Sequence, residues 1–171
     1  MKRIIIHWTA GGPKANNTDK KHYHYIINQD LTVTKGDHDV LDNENCKDGD
    51  YAAHTGQGNT SSIGVSLAGM LGFSMKTKFT KYPINKKQLE LMFYVVASLA
   101  DIYNIVPSLD TIDTHFTFNE KHNIHTGKID IVYLPPYPRF KPLQILPFIV
   151  NKINWYYSKI KNGEIKNYFK K

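Results

Sequence analysis

The chain has 171 residues, of which 41% are hydrophobic and 12% aromatic, proportions that suit one folded unit with a buried core and exclude a disordered or low-complexity protein. Its one cysteine, Cys46, excludes an internal disulfide and any cysteine-rich metal site. The net charge of +7 favours an anionic partner but does not choose among nucleic acid, anionic lipid and bacterial wall polymers.

The opening Met1-Lys2-Arg3 carries signal-like charge, yet the apolar run after it is too short for a signal peptide and no stretch reaches a membrane span. Synthesis in the cytosol is therefore expected, with action outside depending on release. Arg3-Ile4-Ile5-Ile6 is a β-branched run stopping at His7-Trp8-Thr9-Ala10-Gly11-Gly12, which predicts a buried strand delivering a histidine to the carboxyl edge of a sheet. Gly12 to Lys21 reads as a loop. His22 to Ile27 alternates and is rich in β formers, Asn28-Gln29-Asp30 reads as a turn, and Leu31 to Thr34 as the return strand of a hairpin. Gly36 to Asp50 is acidic and reads as an exposed loop whose carboxylates lack EF-hand spacing.

Ser62 to Ala68 is small and apolar throughout, which predicts a strand buried on both faces. Gly69 to Pro83 reads as a linker. Asn85 caps a predicted helix to about Tyr103, in which Leu89, Met92, Phe93, Val96 and Leu99 recur at helical steps. Asp110 to Asp113 reads as a short strand leading to Thr114-His115, and Gly127-Lys128-Ile129-Asp130 as the sequel to another strand-like run. Pro135 to Pro142 is a bend, and Leu143 to Ile160 a closing helix that accommodates Pro147 near its start. The sum is a single α/β domain over 1–171, with a central mixed β-sheet flanked by helices. Its core spans about 3–135, and a C-terminal helix and basic tail span about 141–171.

Three of these segments end in residues that suit a metal. Zinc takes imidazole nitrogen and carboxylate oxygen in tetrahedral array, and His7, His115 and Asp130 offer that set. Spacing alone fixes no geometry here, and eight histidines allow many accidental trios, so structural or surface roles for these residues stay open at this point.

Five blocks in order carry a resemblance: Ile4 to Gly11, Tyr23 to Ile27, His54 with Asn59 to Val65, Thr114-His115, and Lys128-Ile129-Asp130. Together, over about residues 3 to 135, they resemble the zinc-dependent N-acetylmuramoyl-L-alanine amidases. This type 2 family includes phage lysozyme-amidases and cytosolic muropeptide-recycling amidases, and is related to peptidoglycan recognition proteins. The resemblance implies that His7, His115 and Asp130 are zinc ligands. It further implies that Tyr23 orients the attacking water or the substrate, and that Lys128 stabilises the oxyanion. His54, Thr9 and Asn59 are expected as substrate contacts, with loop packing the alternative for His54. The implied reaction is hydrolysis of the amide joining N-acetylmuramic acid to L-alanine in peptidoglycan or its muropeptide fragments.

The chain also departs from its relatives. One branch carries a glutamate where this sequence has Ser66, so no carboxylate base is expected there. The helix that relatives often carry before the tyrosine strand is expected to be cut to a loop over Pro13 to Lys21. His24 is expected to be structural, and His22, His38, His122 and His125 to lie on the surface, while no pattern places a base beside Cys46. A phage-type endolysin fits the absence of a signal peptide, as does a cytosolic recycling enzyme. The basic end from Trp155 to Lys171 is expected to touch an anionic envelope. A non-catalytic wall-binding module is the main competing reading. No nucleic-acid motif accompanies the charge, so no nucleic-acid partner is expected.

Overall fold

The structure, a computed structural model, describes residues 1–170. Strand β1 (Arg3–Trp8) lies between β4 (Ser62–Leu67) and β5 (Ile112–Thr114) and runs parallel to both. On the far side of β4, β2 (Tyr25–Ile27) is also parallel, and β3 (Val33–Lys35) pairs antiparallel with it, completing the predicted hairpin. The strand order β3-β2-β4-β1-β5 makes one mixed sheet, the arrangement expected from sequence.

Alternation decides which face each strand residue serves. Ile4, Ile6, Ile63, Val65, Leu67 and Ile112 join the main hydrophobic core, together with α2 (Lys86–Ile102) and α4 (Pro142–Lys161). Ile5 and His7 alternate with Ile4 and Ile6, and in the parallel register they stand opposite Gly64 and Ser66. The second face is therefore where His7 emerges, and it is covered by the short helix that begins at His115 together with loops, among them the one carrying His54. All six residues of β4 are buried, as their composition predicts.

Helix α2 starts where expected, with the Asn85 side chain accepting from the Gln88 amide. Gln88 is buried and its side-chain amide donates to the carbonyls of Ile27 and Ala68, both at 2.8 Å, tying the helix to the ends of β2 and β4. Helix α4 packs on α2 and accommodates Pro147 in its second turn. No helix among the described residues is long and apolar enough to cross a membrane.

Four local expectations need correction. Pro13 to Lys21 is not only loop, because Asn17–His22 forms a short helix, α1, closed by a reciprocal cap between Asn16 and Asp19. Tyr23 is the residue that ends α1, and the strand begins two residues later at Tyr25. The acidic loop contains a 3-10 turn over Val40–Glu44, whose Asn43 is fully buried and bonds the backbone at Ala52 and Asn59. His115 does not end a strand but opens helix α3 (His115–His122), capped by the Thr114 hydroxyl.

The basic end is docked rather than free. Asn167 is buried and its amide donates to Ser98 O and Asp101 Oδ2, both at 2.9 Å, while the Phe169 ring lies 5.0 Å from that of Tyr25. Lys161 and Lys170 pair with Asp101, and Lys159 with Glu164, so these cations are partly neutralised in place. Lys171 lies outside the described residues.

Candidate metal centre and active site

The three residues of the proposed ligand set arrive by different routes. His7 is carried by β1, whose parallel partners on both sides fix its depth. His115 is the first residue of α3, so the reciprocal cap between Thr114 and Thr117 sets its direction. Asp130 follows no strand, contrary to expectation. It sits after an irregular segment and just before Ile131, a buried β-branched residue held at φ 65°. That conformation is costly for a β-branched side chain and persists because its surroundings hold it. The Phe116 amide, donating to the Asp130 carbonyl at 3.4 Å, ties this segment to α3.

The side chains converge. His7 Nδ1 lies 3.2 Å and His115 Nδ1 3.3 Å from the same oxygen, Asp130 Oδ2. All three residues are buried, and each offers a ligand atom within 4.8 Å of the others. Zinc–ligand bonds of about 2.0–2.1 Å in a tetrahedron separate neighbouring donors by about 3.3–3.4 Å, so the observed contacts match the edges of such a shell. Burial pulls the His7 imidazole down to about 4, against the neighbouring Asp130 carboxylate that pulls it up, so the ring is neutral at pH 7. Burial would raise Asp130, but the imidazoles of His115 and His7 beside it outweigh burial and hold the carboxyl at about 2. A neutral His7 imidazole beside an ionised Asp130 carboxylate is in the protonation state that metal binding requires. The residues fit a divalent cation of the zinc type.

Around this set lies a cavity of about 340 Å³, lined by Tyr23, His54, His115, Lys128 and Asp130 among others. The Tyr23 ring is 5.1 Å from that of His7. Burial, then the charges of Asp130 and Asp19, push its phenol above the usual range, so Tyr23 stays protonated and can donate. Lys128 is exposed and also lines a second cavity of about 340 Å³ on its other side, walled by Trp8, Met70, Phe73 and Ile129. Lys128 therefore lines both open spaces that flank Asp130.

The other expected contacts are placed differently from one another. His54 lines the first cavity but is buried, with its ring nitrogens turned to His7 and to Ser62 O. Neither Thr9 nor Asn59 is among the residues lining the two cavities. The Thr9 hydroxyl bonds the backbone of Gly11 and Gly69, because it closes the turn after β1. Asn59 accepts from the Thr55 amide at 2.7 Å and shapes the loop that carries His54. His24 is structural: Nε2 faces Asn43 Oδ1 at 3.1 Å, and Nδ1 accepts from Gly64 N at 2.9 Å. One neighbour of His7, Thr55, went unnoticed in the sequence, and a second, Ser66, was read there only for the carboxylate it lacks. Thr55 reaches His7 Nε2 at 3.3 Å, and Ser66, opposite His7 on β4, is buried with its hydroxyl unpartnered. A second acid-histidine group, His38 with Asp42 and Asp50, is solvent-accessible and its His38–Asp50 pair accounts for it as a surface contact.

Compared with protein families, residues 1–131 match the model described as N-acetylmuramoyl-L-alanine amidase. The chain belongs to this amidase family. The matched stretch takes in His7, Tyr23, His115, Lys128 and Asp130, and leaves α4 and the docked end outside it. Among solved structures, the amidase resembles N-acetylmuramoyl-L-alanine amidase LysC from Clostridium intestinale URNW, with a TM-score of 0.52 and 14% identity over 88% of this chain and 85% of that one. At that identity the likeness speaks for the fold alone. No curated protein matches the chain. The protein is thus an amidase enzyme whose family implies a peptidoglycan substrate, and its buried His7, His115 and Asp130 form a group able to hold a metal.

Proposed function

We propose that this amidase is zinc-dependent and hydrolyses the amide between N-acetylmuramic acid and L-alanine of the stem peptide, with His7, His115 and Asp130 holding the ion. The observation that carries the reading is the meeting of two buried imidazole nitrogens on one carboxylate oxygen at 3.2 and 3.3 Å. When bound, zinc supplies Lewis acidity, lowering the pKa of water and polarising the amide carbonyl.

The chain's own residues do the rest. In the reaction, water oxygen bonds the carbonyl carbon, the carbon–nitrogen bond breaks, and the amine of L-alanine leaves with a proton. Lys128 brings a cation to the oxygen on which negative charge grows, a term that is large in a site partly shielded from water. Tyr23, kept protonated and beside His7, donates a hydrogen bond to the water or the carbonyl oxygen and so orients the attack. Ser66 provides no carboxylate, so the side chains left to hold or move a proton at the substrate are Tyr23 and Lys128. Asp130 is ionised and stays a ligand rather than a base.

The test is purified protein incubated with isolated sacculi, with and without chelator, and products read by mass spectrometry. Free stem peptides beginning at L-alanine, lost on chelation and restored by zinc, are the expected result. Binding without release would move the chain to the non-catalytic wall-binding class. We further propose an endolysin role, supported by the net charge of +7, which suits an anionic wall. Its test is cleavage of whole sacculi: a preference for soluble muropeptide with intact sacculi untouched would favour a recycling enzyme instead.

A further inference from the structure

The two nitrogens of His7 face different neighbours, and the protons around them can be assigned in turn. Nδ1 faces Asp130 Oδ2 at 3.2 Å, and Nε2 faces both Thr55 Oγ1 and His54 Nδ1 at 3.3 Å. Thr55 Oγ1 is in turn 2.9 Å from His54 Nδ1, and His54 Nε2 is 3.4 Å from the carbonyl of Ser62. A carbonyl oxygen only accepts, so the His54 proton belongs on Nε2 and its Nδ1 is bare. The bare nitrogen takes the Thr55 hydroxyl proton. That leaves the lone pairs of the threonine oxygen to accept from His7 Nε2–H. His7 is thereby fixed with its proton on Nε2 and a lone pair on Nδ1, aimed at Asp130.

That lone pair is an incomplete arrangement without a cation. It faces the Asp130 carboxylate at 3.2 Å in a buried place, so two acceptors meet across a gap that a cation would fill. The clamp is itself firmly held. Thr55 is fully buried, and its amide is fixed by Asn59 Oδ1 at 2.7 Å. The His54 ring lies over Gly64, where an added Cβ would come within 2.5 Å of it.

We propose that Thr55 and His54 are positioning residues, which hold His7 in the Nε2-protonated tautomer and so direct Nδ1 to the metal. This inference rests on the zinc reading above. Neither residue is a ligand; they act through His7, as outer-shell partners of metal-bound histidines do.

The experiment uses the full chain in two measurements. Nitrogen-15 NMR of the zinc-free wild type at pH 7 is expected to show His7 protonated at Nε2, and protonation at Nδ1 would overturn the proposal. Zinc affinity is then measured by competition with a chromophoric chelator for the wild type, Thr55→Val and Thr55→Ser. Thr55→Val keeps shape but removes the hydroxyl and is expected to weaken zinc binding about 10–100-fold, while Thr55→Ser restores it. Equal affinity of wild type and Thr55→Val, or a Thr55→Ser as weak as the valine variant, would overturn the clamp alone. A wild type that takes up no zinc would overturn the zinc reading and the clamp with it. Circular dichroism of the zinc-free variants reports folding separately, and the tautomer measurement depends on no variant.

Discussion

A methyl group at Gly64 should be among the most disruptive small changes in the protein. Gly64 lies on buried β4, and a Cβ there would stand 2.5 Å from His54 Cγ, 2.6 Å from Cδ2 and 2.9 Å from Cβ. The ring cannot swing aside, because His7, Thr55 and the Ser62 carbonyl occupy its nitrogens and His24 stacks edge-on at 5.7 Å. Restoring ordinary contact requires a retreat of about 1 Å in a close-packed region, and overpacking of this kind costs about 1–3 kcal/mol. For a chain of this size that corresponds to a fall in melting temperature of about 2–12 °C. The comparison is a thermal melt of Gly64→Ala, wild type and Gly12→Ala, the last having no atom within 4 Å of its added Cβ. Gly64→Ala should melt below the other two, which should coincide. A Gly64→Ala melt equal to wild type would refute the claim that His54 is seated on the bare backbone of β4.

Other perturbations test separate parts of the molecule. Ser66→Ala should change stability by less than about 1 kcal/mol, since the buried hydroxyl has no partner within full hydrogen-bond distance and faces the Tyr23 phenol; a larger loss would show that the two hydroxyls are bonded. Burial lowers His24 to about 4 despite its hydrogen bond to Asn43, whereas the unfolded imidazole titrates near 6.5. The unfolded state therefore takes up the proton first, so the stability contributed by neutral His24 is full above pH 6.5 and is lost as pH falls from 6.5 towards 4, by up to about 1.4 kcal/mol per pH unit. Urea unfolding of the zinc-free protein at pH 7 and pH 5 should show that decline, which His7 and His54 reinforce because burial lowers both; a flat profile would contradict it. Asn167→Ala should cost about 1–3 kcal/mol by removing a buried amide that bonds both the Ser98 carbonyl and the Asp101 carboxylate, whereas Lys170→Gln, which removes an exposed cation, should cost less than about 1 kcal/mol; denaturant midpoints distinguish the two.

Much of the framework was legible because its signals are local. Three consecutive isoleucines before His7 announce β1, the small apolar run of Ser62 to Leu67 announces a strand covered on both faces, and the Asn85 cap with its helical apolar steps announces α2 within a residue of its observed ends. The family blocks further pointed to His7, His115 and Asp130, which the fold then brings together. The short helices escaped notice. Asn17–His22 and His115–His122 are too brief to show a periodic face, and helices of that length form in water only with tertiary support, so their caps decide them rather than their composition.

Sequence by itself determined which residues this protein has for chemistry and that a buried strand would carry His7, because strand propensity, caps and motif order are written in neighbouring positions. Tertiary structure alone decided the face on which His7 emerges, since that depends on the register of Ile5 and His7 against Gly64 and Ser66. It alone placed Asp130 beyond an irregular segment ended by the left-handed Ile131. It alone brought Thr55, 48 positions away, to the outer nitrogen of His7. Contacts between segments so distant follow from how the chain packs, and a packing contact leaves no pattern at either end of the sequence to read.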